Sequence, residues 1–202
     1  MQRIDELNVE AGEHGIDTLL AHLEATSISE RAKGDAFERL IKAYLATEPL
    51  YAEQIETAWM WNDWPNRVGT DAGIDLIAHT RTGEYWAIQC KFYSADHVLA
   101  KGEIDSFFTA SGRSFTTQEG ERTFAKRLIF TTTNHWSTQA ERAIQDQTIP
   151  VTRIGRIDLT ESSIDWSVYD WDEPTRLTRK LNRTGFRAHS EPHRLSCTLI
   201  YV

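Results

Sequence analysis

The sequence predicts an α/β protein, a three-layer sandwich in which helices flank a central mixed sheet. Segments with helical spacing of apolar residues alternate with short apolar runs, in the order α-α-β-β-β-α-β-α-β. Only "RTGE" separates the second strand-like run from the third, which predicts an antiparallel hairpin. Predicted helices separate the later runs. The sheet is therefore expected to be partly antiparallel and partly parallel.

Two helices open the predicted fold. Residues 14–25 carry apolar side chains at helical spacing, namely Ile16, Leu19, Leu20 and Leu23. The second helix lies in "SISERAKGDAFERLIKAYLATEP", where Ser27 and Glu30 have the spacing of a capping box. Its apolar positions follow the pattern i, i+3, i+4, i+7, namely Phe37, Leu40, Ile41 and Tyr44. Pro49 marks the end of this helix.

The strands follow. "QIETAWMW" at 54–61 predicts the first strand, and the Pro- and Gly-containing residues 62–73 predict a loop. "IDLIAHT" and "EYWAIQCKFY" form the hairpin, and "LAKGEIDSFFTASG" predicts a helix. "AKRLIFTTT" predicts a strand, and "STQAERAIQDQ" a helix capped by Ser137 or Thr138. "PVTRIGRIDL" closes the sheet, and the pattern ends near residue 165.

Length, cysteine use and charge limit the classes of function. The 202 residues suit one domain, or one domain with an appendage, and no apolar run is long enough to span a bilayer. Cys90 and Cys197 have no metal-binding spacing, and no signal peptide is recognised, so we expect a reduced, cytoplasmic protein that does not associate with membranes. Residues 1–173 hold 16 basic and 29 acidic residues, a net charge of −13. This acidic body argues against tight non-specific binding to nucleic acid by the domain alone.

The C-terminal segment is basic. Residues 174–194 carry six Lys or Arg and one Glu, a net charge of +5. A solvated linker explains this composition better than a dedicated DNA-binding arm.

The hairpin places polar residues at the end of core strands. If its turn centres near residue 82 or 83, Asp75 lies opposite Gln89 or Lys91. Gln89 and Lys91 are two residues apart and share one face of their strand. Sequence fixes the register only loosely. A favourable register brings a carboxylate, an amide oxygen and an ammonium close together.

These groups have the chemistry of a phosphodiester-hydrolysing site. Carboxylate, amide and main-chain carbonyl oxygens suit Mg²⁺, and a divalent ion lowers the pKa of a water that it binds. The Lys91 ammonium would stabilise charge on a phosphorus-centred transition state, or orient or deprotonate the attacking water. The alternative is an ordinary solvated strand face. The apolar neighbours of these residues favour a site, because a buried charge is costly unless it is paired or coordinated.

The motifs resemble those of a known family. "GTDAGIDLIA" followed by "GEYWAIQCKFY" is similar to the signature of the Mrr-like branch of the PD-(D/E)xK nucleases, with Gln-x-Lys in place of Glu-x-Lys. Phe37-Glu38 and "RLIFTTTNHWSTQAERA" extend the resemblance over roughly residues 27–165. It implies a restriction-endonuclease-like sandwich that cleaves double-stranded DNA with Mg²⁺, for which Mn²⁺ is an expected substitute.

The resemblance also implies roles for individual residues. Asp75 would be the principal metal ligand, Gln89 the second side-chain ligand and Cys90 a ligand through its carbonyl. Lys91 would be the catalytic lysine. Glu38 would order a water or a second ion from its helix, and Asp71 would support the site. An amide at position 89 removes one negative charge, so metal binding should be weaker without DNA phosphate.

A narrower resemblance concerns the wider polypeptide. "WNDWP" and "IDSFFTASG", with the motifs above, look like the N-terminal nuclease domain of large helicase-nucleases, including type ISP restriction-modification enzymes. It implies helicase or translocase and methyltransferase domains as partners, and a second nuclease module on the DNA. The 202 residues contain no P-loop motif. We divide them into an N-terminal helical extension at 1–26, a nuclease domain at 27–168 and a basic tail or linker at 169–202.

Two functions from different classes follow. The first is a Mg²⁺-dependent endonuclease domain of a restriction or phage-defence helicase-nuclease. The second is a nuclease-fold module without turnover that clamps DNA or docks to a partner domain. A Holliday-junction resolvase would share the chemistry, but the acidic body disfavours it.

Three further features are open to an ordinary structural interpretation. Tyr51, Trp59, Trp61 and Trp64 form an aromatic cluster for which core packing or a lid is favoured over base stacking. Surface solvation is favoured over phosphate contact for Lys101, Lys126 and Arg127. The hydroxyls of residues 131–133 are expected to contact the DNA backbone or to cap the next helix.

Overall fold

The computed structural model describes residues 15–67, 73–170 and 177–180. The helices are α1 Ile16–Thr26, α2 Glu30–Thr47, α3 Pro49–Ala52, α4 Asp105–Ser111, α5 Thr138–Gln145 and α6 Arg156–Glu161. The strands of the central sheet are β1 Ile55–Met60, β2 Leu76–Thr80, β3 Tyr85–Lys91, β4 Phe124–Thr131 and β5 Val151–Ile154. Among these described residues, no helix is long and apolar enough to cross a membrane.

The central sheet has the strand order β1-β2-β3-β4-β5. β1, β2 and β3 pair antiparallel, and a short turn joins β2 to β3. β3, β4 and β5 pair parallel, because helical segments carry the chain back between them. The predicted mixed sheet is therefore confirmed, with β3 in the middle.

Each face of the sheet has its own hydrophobic core. The first core packs under α1, α2 and α6, and Tyr44 stacks on Trp166 with ring centroids 5.7 Å apart. The second core packs under α4 and α5 and is centred on Phe107 and Ile129, both fully buried. Helices on both faces of one sheet give the predicted three-layer sandwich.

The predicted aromatic cluster divides between these two cores. Trp61 and Trp64 pack in the second core, and Trp59 lies partly buried against it, as core packing predicted. Tyr51 instead lies on the opposite face, in the first core, where it packs against Tyr44 and Phe130. Tyr51 is separated from the tryptophans because it belongs to α3, which lies on the first-core side of the sheet.

The predicted capping box of α2 is wrong. α1 runs to Thr26, so Ser27 ends that helix with an extended backbone. Ser29 is the N-cap of α2, and its hydroxyl accepts a hydrogen bond from the Ala32 N–H at 3.1 Å. Ser137 caps α5 as predicted and accepts from the Ala140 N–H at 3.2 Å.

Two other segments differ from the prediction. "PVTRIGRIDL" is a strand only as far as Ile154, after which Gly155 opens α6 and its N–H donates to Asp158 Oδ2 at 2.7 Å. The predicted helix at 99–112 has a helical turn at Lys101–Glu103 before α4. A small hairpin of Phe115–Thr117 and Gly120–Arg122 precedes β4 and was not predicted. These elements are short, and their periodicity is too brief to identify from sequence.

Arg127 is buried rather than solvated. It is 3 % exposed and lies in β4, two residues before Ile129. Because side chains alternate along a strand, Arg127 and Ile129 both face the second core. Its guanidinium contacts α4 and the end of α5 through Ser111, Phe108 and Gln147. The expectation of a surface side chain was wrong for Arg127.

Candidate active site

The hairpin register places Asp75 opposite Gln89. Leu76 pairs with Ile88 and Ile77 with Ala87, so the hairpin is centred on Thr82. Continuing this register by one residue brings Asp75 to Gln89, one of the two predicted arrangements. The Asp75 N–H donates to the Ile88 carbonyl at 2.9 Å, which holds the start of β2 against β3.

The Asp75 carboxylate is fixed against the backbone of β3. Its Oδ2 accepts a hydrogen bond from the Cys90 N–H at 2.6 Å. The Asp75 carbonyl accepts from the Trp61 N–H at 2.8 Å. The carboxylate thus lies beside the main chain between Gln89 and Lys91.

Gln89 is buried with an unsatisfied oxygen. It is 1 % exposed and pairs in register with Ile129 of the second core. Its Nε2 donates to the Gly73 carbonyl at 3.0 Å. A carbonyl can only accept, so the amide nitrogen must face Gly73 and Oε1 faces away. Oε1 has no hydrogen-bond partner among the described residues, a costly state for a buried acceptor.

Three charged side chains act on one thiol at the end of β3. Burial raises the pKa of the Cys90 thiol well above its ordinary value, and the Asp75 and Glu38 carboxylates raise it further. The positive charge of Lys91 acts in the opposite direction. Glu38 reaches this point from α2. The charges of Asp75, Glu38 and Lys91 are therefore all felt at Cys90, and of the three side chains Asp75 is hydrogen-bonded to its main chain.

The chain that follows Lys91 is anchored by the threonines at the end of β4. The Lys91 carbonyl accepts from the Thr132 N–H at 3.2 Å. The Thr132 hydroxyl accepts from the Tyr93 N–H at 2.7 Å and donates to the Tyr93 carbonyl at 2.6 Å. Thr133 donates to the His97 carbonyl at 2.6 Å. Both predicted roles for these hydroxyls were wrong, because the side chains are buried and fix the adjacent loop.

That loop carries a polar network that the sequence did not indicate. His97 Nε2 lies 3.1 Å from Glu103 Oε1, and the Tyr93 ring stacks on His97 at 4.0 Å. Burial opposes the ionisation of Glu103, but hydrogen bonds from Ala100, Tyr93 and His97 outweigh it and lower the pKa of that carboxyl. The only feature of the sequence that could have indicated this network is that Tyr93 and His97 follow Lys91 closely along the chain.

The structure does not describe every predicted site residue. Asp71 lies outside the described residues. Within the described ranges, no three His, Cys, Asp or Glu side chains form a group that could hold a metal ion. A cation at this site would therefore depend on the Gln89 amide oxygen and a main-chain carbonyl beside Asp75. The orphaned Gln89 Oε1 fits such a ligand, since a hard cation prefers oxygen donors.

Gly73 supports the site through its backbone, and this gives a testable prediction. Its φ is +83°, and an added Cβ would lie 2.8 Å from Ser106 Oγ and 3.2 Å from the Phe107 nitrogen. Gly73→Ala should therefore lower the free energy of unfolding by about 2–3 kcal/mol through strain and steric clash. Urea denaturation measures this loss.

Gly83→Ala is the matched control. Gly83 has nearly the same φ, +84°, but a Cβ there meets nothing within 4 Å. It should cost only about 1 kcal/mol of backbone strain. Equal losses in the two variants would show that the close approach at Gly73 carries no energy.

The described residues thus form a five-stranded mixed sheet flanked by helices, and Asp75 lies opposite Gln89 where β2 and β3 pair. Residues 46–176 match the family Mrr_cat_2, described as restriction endonuclease, and the chain belongs to this family. The predicted resemblance and fold are thereby confirmed, and the family supports a DNA endonuclease domain.

Solved structures agree with this fold. The chain is similar to the ATP-dependent type ISP restriction-modification enzyme LlaBIII bound to DNA, at 28 % identity and a TM-score of 0.67. The match covers 84 % of this chain and 10 % of that one, so the present chain spans only a small part of that enzyme.

More distant matches are weaker. The MspJI restriction endonuclease in complex with a 27-mer oligonucleotide matches at 17 % identity and a TM-score of 0.44, over 72 % of this chain and 29 % of that one. The DNA modification-dependent restriction endonuclease AspBHI matches at 15 % identity and a TM-score of 0.44. This match covers 71 % of the present chain and 33 % of AspBHI. No curated protein matches the chain.

Proposed function

We propose that this domain is a Mg²⁺-dependent endonuclease that hydrolyses phosphodiester bonds of double-stranded DNA. The buried Gln89 Oε1, which has no hydrogen-bond partner within the described part of the chain, carries the proposal. It lies on the strand whose Cys90 N–H binds the Asp75 carboxylate. A buried acceptor without a donor is explained by a cation that shares it with the carboxylate. The assignment of Asp75, Gln89, Cys90, Lys91 and Glu38 to one site rests on this arrangement.

The residues that would hold the ion are Asp75 through its carboxylate, Gln89 through Oε1 and Cys90 through its carbonyl. When bound, Mg²⁺, or Mn²⁺ in its place, supplies positive charge against the phosphate and makes a water more acidic. A single carboxylate with two neutral oxygens makes a weak site, so millimolar metal is expected in the absence of DNA.

The remaining side chains act directly on the substrate. The Lys91 ammonium donates hydrogen bonds to a non-bridging phosphate oxygen and offsets the charge that develops there. The Glu38 carboxylate accepts a hydrogen bond from the attacking water and orients it. Burial and the Asp75 and Glu38 carboxylates raise the pKa of the Cys90 thiol. The role proposed for Cys90 is that of its main chain, whose N–H binds the Asp75 carboxylate at 2.6 Å.

The wider context is a restriction or phage-defence helicase-nuclease. LlaBIII is described as an ATP-dependent enzyme bound to DNA, and this chain matches about a tenth of its length. Residues 1–202 carry a net charge of −8, a poor electrostatic match for DNA. A translocase and methyltransferase in the same polypeptide would deliver such a module to DNA, where a second nuclease module cuts the other strand.

Plasmid cleavage in Mg²⁺ tests the proposed function. Lys91→Ala should reduce the cleavage rate by about 100- to 1,000-fold, the usual loss for one preorganised stabilising group. Supercoiled plasmid is converted to nicked and linear forms and quantified with time, with EDTA as the metal-free arm.

Lys101→Ala is the control, because Lys101 is an exposed lysine paired with Asp105 at 2.7 Å. Its cleavage rate should stay within about twofold of wild type, since exposed ion pairs contribute little. Plasmid nicking that is equal in wild type and Lys91→Ala would remove the nuclease assignment. Retention of DNA without any cleavage would favour the clamping module.

A further inference from the structure

Lys91 is the last residue of β3, at a point where the sheet supports the strand from one side. The register with β2 reaches only as far as Asp75 opposite Gln89. Pairing with β4 continues further, to Lys91 opposite Thr131. Within the part of the chain that the structure describes, the main chain of Lys91 is thus held from the β4 side.

Thr132, the residue after β4, holds the chain at Lys91 and again two residues later. Its N–H donates to the Lys91 carbonyl at 3.2 Å. Its hydroxyl accepts a hydrogen bond from the Tyr93 N–H at 2.7 Å and donates to the Tyr93 carbonyl at 2.6 Å. One residue therefore fixes both ends of the segment 91–93, and the side chain takes over where the ladder of the sheet ends.

The side chain of Tyr93 is fixed as well. Its ring stacks on His97 with centroids 4.0 Å apart, and it is hydrogen-bonded to Glu103. Glu103 is itself held by the Ala100 N–H at 2.6 Å. The Thr132 hydroxyl thus binds a residue that cannot readily shift, which makes Tyr93 a firm anchor for the chain that leaves Lys91.

Thr132 is placed to act through the main chain and not on DNA. It is 1 % exposed, and the Tyr93 carbonyl takes the one proton that its hydroxyl can donate. The branched side chain of threonine restricts rotation about χ1, which helps to keep the hydroxyl pointing at Tyr93.

We propose that Thr132 is a positioning residue, which holds the Lys91 ammonium where the scissile phosphate binds. This role rests on the proposed function, in which Lys91 offsets the charge that develops on the phosphate. Displacement of a catalytic group by about 1 Å can cost about 100-fold in rate. Thr132→Val keeps the N–H bond to Lys91 but removes both hydroxyl bonds, so the chain after Lys91 gains freedom to move.

Single-turnover cleavage of a labelled DNA duplex in Mg²⁺, with the protein in excess and its concentration varied, tests this role. Thr132→Val should lower the maximal rate about 10- to 100-fold. The protein concentration that gives half the maximal rate should change less than about twofold, because the loss falls on the transition state and not on DNA binding. Thr132→Ser keeps the hydroxyl and should restore the maximal rate to within about threefold of wild type.

Thr133→Val is the matched control. Thr133 is also buried, and its hydroxyl donates to the His97 carbonyl at 2.6 Å and accepts from the His135 N–H at 3.1 Å. The change removes a buried hydroxyl of the same kind but leaves the bonds to Tyr93. Thr133→Val should lower the Tm as Thr132→Val does, yet keep the maximal rate within about threefold of wild type. Equal losses of rate in both variants would reduce Thr132 to a general contribution to stability and overturn the proposal.

Hydrogen exchange measures the hold on Tyr93 without DNA. The Tyr93 amide should exchange about tenfold faster or more in Thr132→Val, and at nearly the wild-type rate in Thr132→Ser, because the hydroxyl is its acceptor. A Tyr93 amide that stays equally protected in Thr132→Val would overturn the proposal.

A double-mutant cycle shows whether Thr132 acts through Lys91. In the Lys91→Ala background, Thr132→Val should leave the residual rate within about twofold, since the group that it positions is gone. The same fold loss in both backgrounds would overturn the proposal. A wild-type protein that never cleaves DNA would overturn the proposed function and this role with it. Wild-type cleavage that Thr132→Val leaves unchanged would contradict only the role of Thr132.

Discussion

Asp75→Asn should reduce metal-dependent DNA cleavage by about 1,000-fold or more while the fold remains intact. Asparagine keeps an oxygen that accepts the hydrogen bond of 2.6 Å from the Cys90 N–H. It removes the only negative charge among the proposed ligands Asp75, Gln89 and Cys90, and with it most of the attraction for a divalent ion. Plasmid cleavage gives the rate, and thermal unfolding should show a Tm within about 2 °C of wild type.

Calorimetric titration with Mg²⁺ or Mn²⁺ supplies a readout that does not depend on cleavage. Wild type should bind the ion, and Asp75→Asn should lose that binding. Asp105→Asn is the matched control, since Asp105 is a surface carboxylate paired with Lys101. Its cleavage rate and metal binding should match wild type. Cleavage by Asp75→Asn at more than about a tenth of the wild-type rate would refute the assignment of Asp75.

Arg127→Met should be the most destabilising of the substitutions considered, with a loss of about 3–5 kcal/mol. Arg127 Nε donates to Ser111 Oγ at 2.7 Å, and Nη1 donates to Gln147 Oε1 at 2.6 Å. Nη2 donates to the Phe108 carbonyl at 3.1 Å. Methionine fills much of the volume but leaves these acceptors without their donor, and each buried unsatisfied group costs about 1–3 kcal/mol.

Thermal and urea unfolding measure the effect of Arg127→Met. A loss of this size corresponds to a fall in Tm of about 10 °C for a chain of this length. Lys126→Met is the matched control on the same strand. Lys126 lies over the Trp86 ring at 4.7 Å and is half-buried, so its loss should cost about 1 kcal/mol or less. Equal stability of the two variants would mean that the Arg127 contacts carry no net energy.

Much of the fold could be predicted because the central strands carry strong local signals. The apolar runs on either side of residues 81–84 fix the hairpin, and its register follows from their symmetry about Thr82. The register then places Asp75 opposite Gln89. Helix α2 was predicted from its apolar stripe, although its N-cap was misplaced by two residues because α1 extends to Thr26.

The rest depended on tertiary contacts that sequence does not encode locally. Arg127 has the composition of a surface residue, yet strand alternation turns it into the second core, where only residues from α4 and α5 can satisfy it. The orphaned Gln89 oxygen arises from a contact with Gly73 sixteen residues away. Likewise, the Nε1 atoms of Trp61 and Trp64 are found to lack a partner among the described residues only when the contacts of every buried donor are known.

The central position of β3 determines how the site responds to heat. β3 is hydrogen-bonded to β2 on one side and β4 on the other, with a core above and below. Amides in such a strand exchange with solvent chiefly when the whole domain opens. The Gln89 and Lys91 backbone therefore cannot fray independently of the sheet. Thermal inactivation should coincide with cooperative melting of the domain, without an earlier phase in which the site alone is lost.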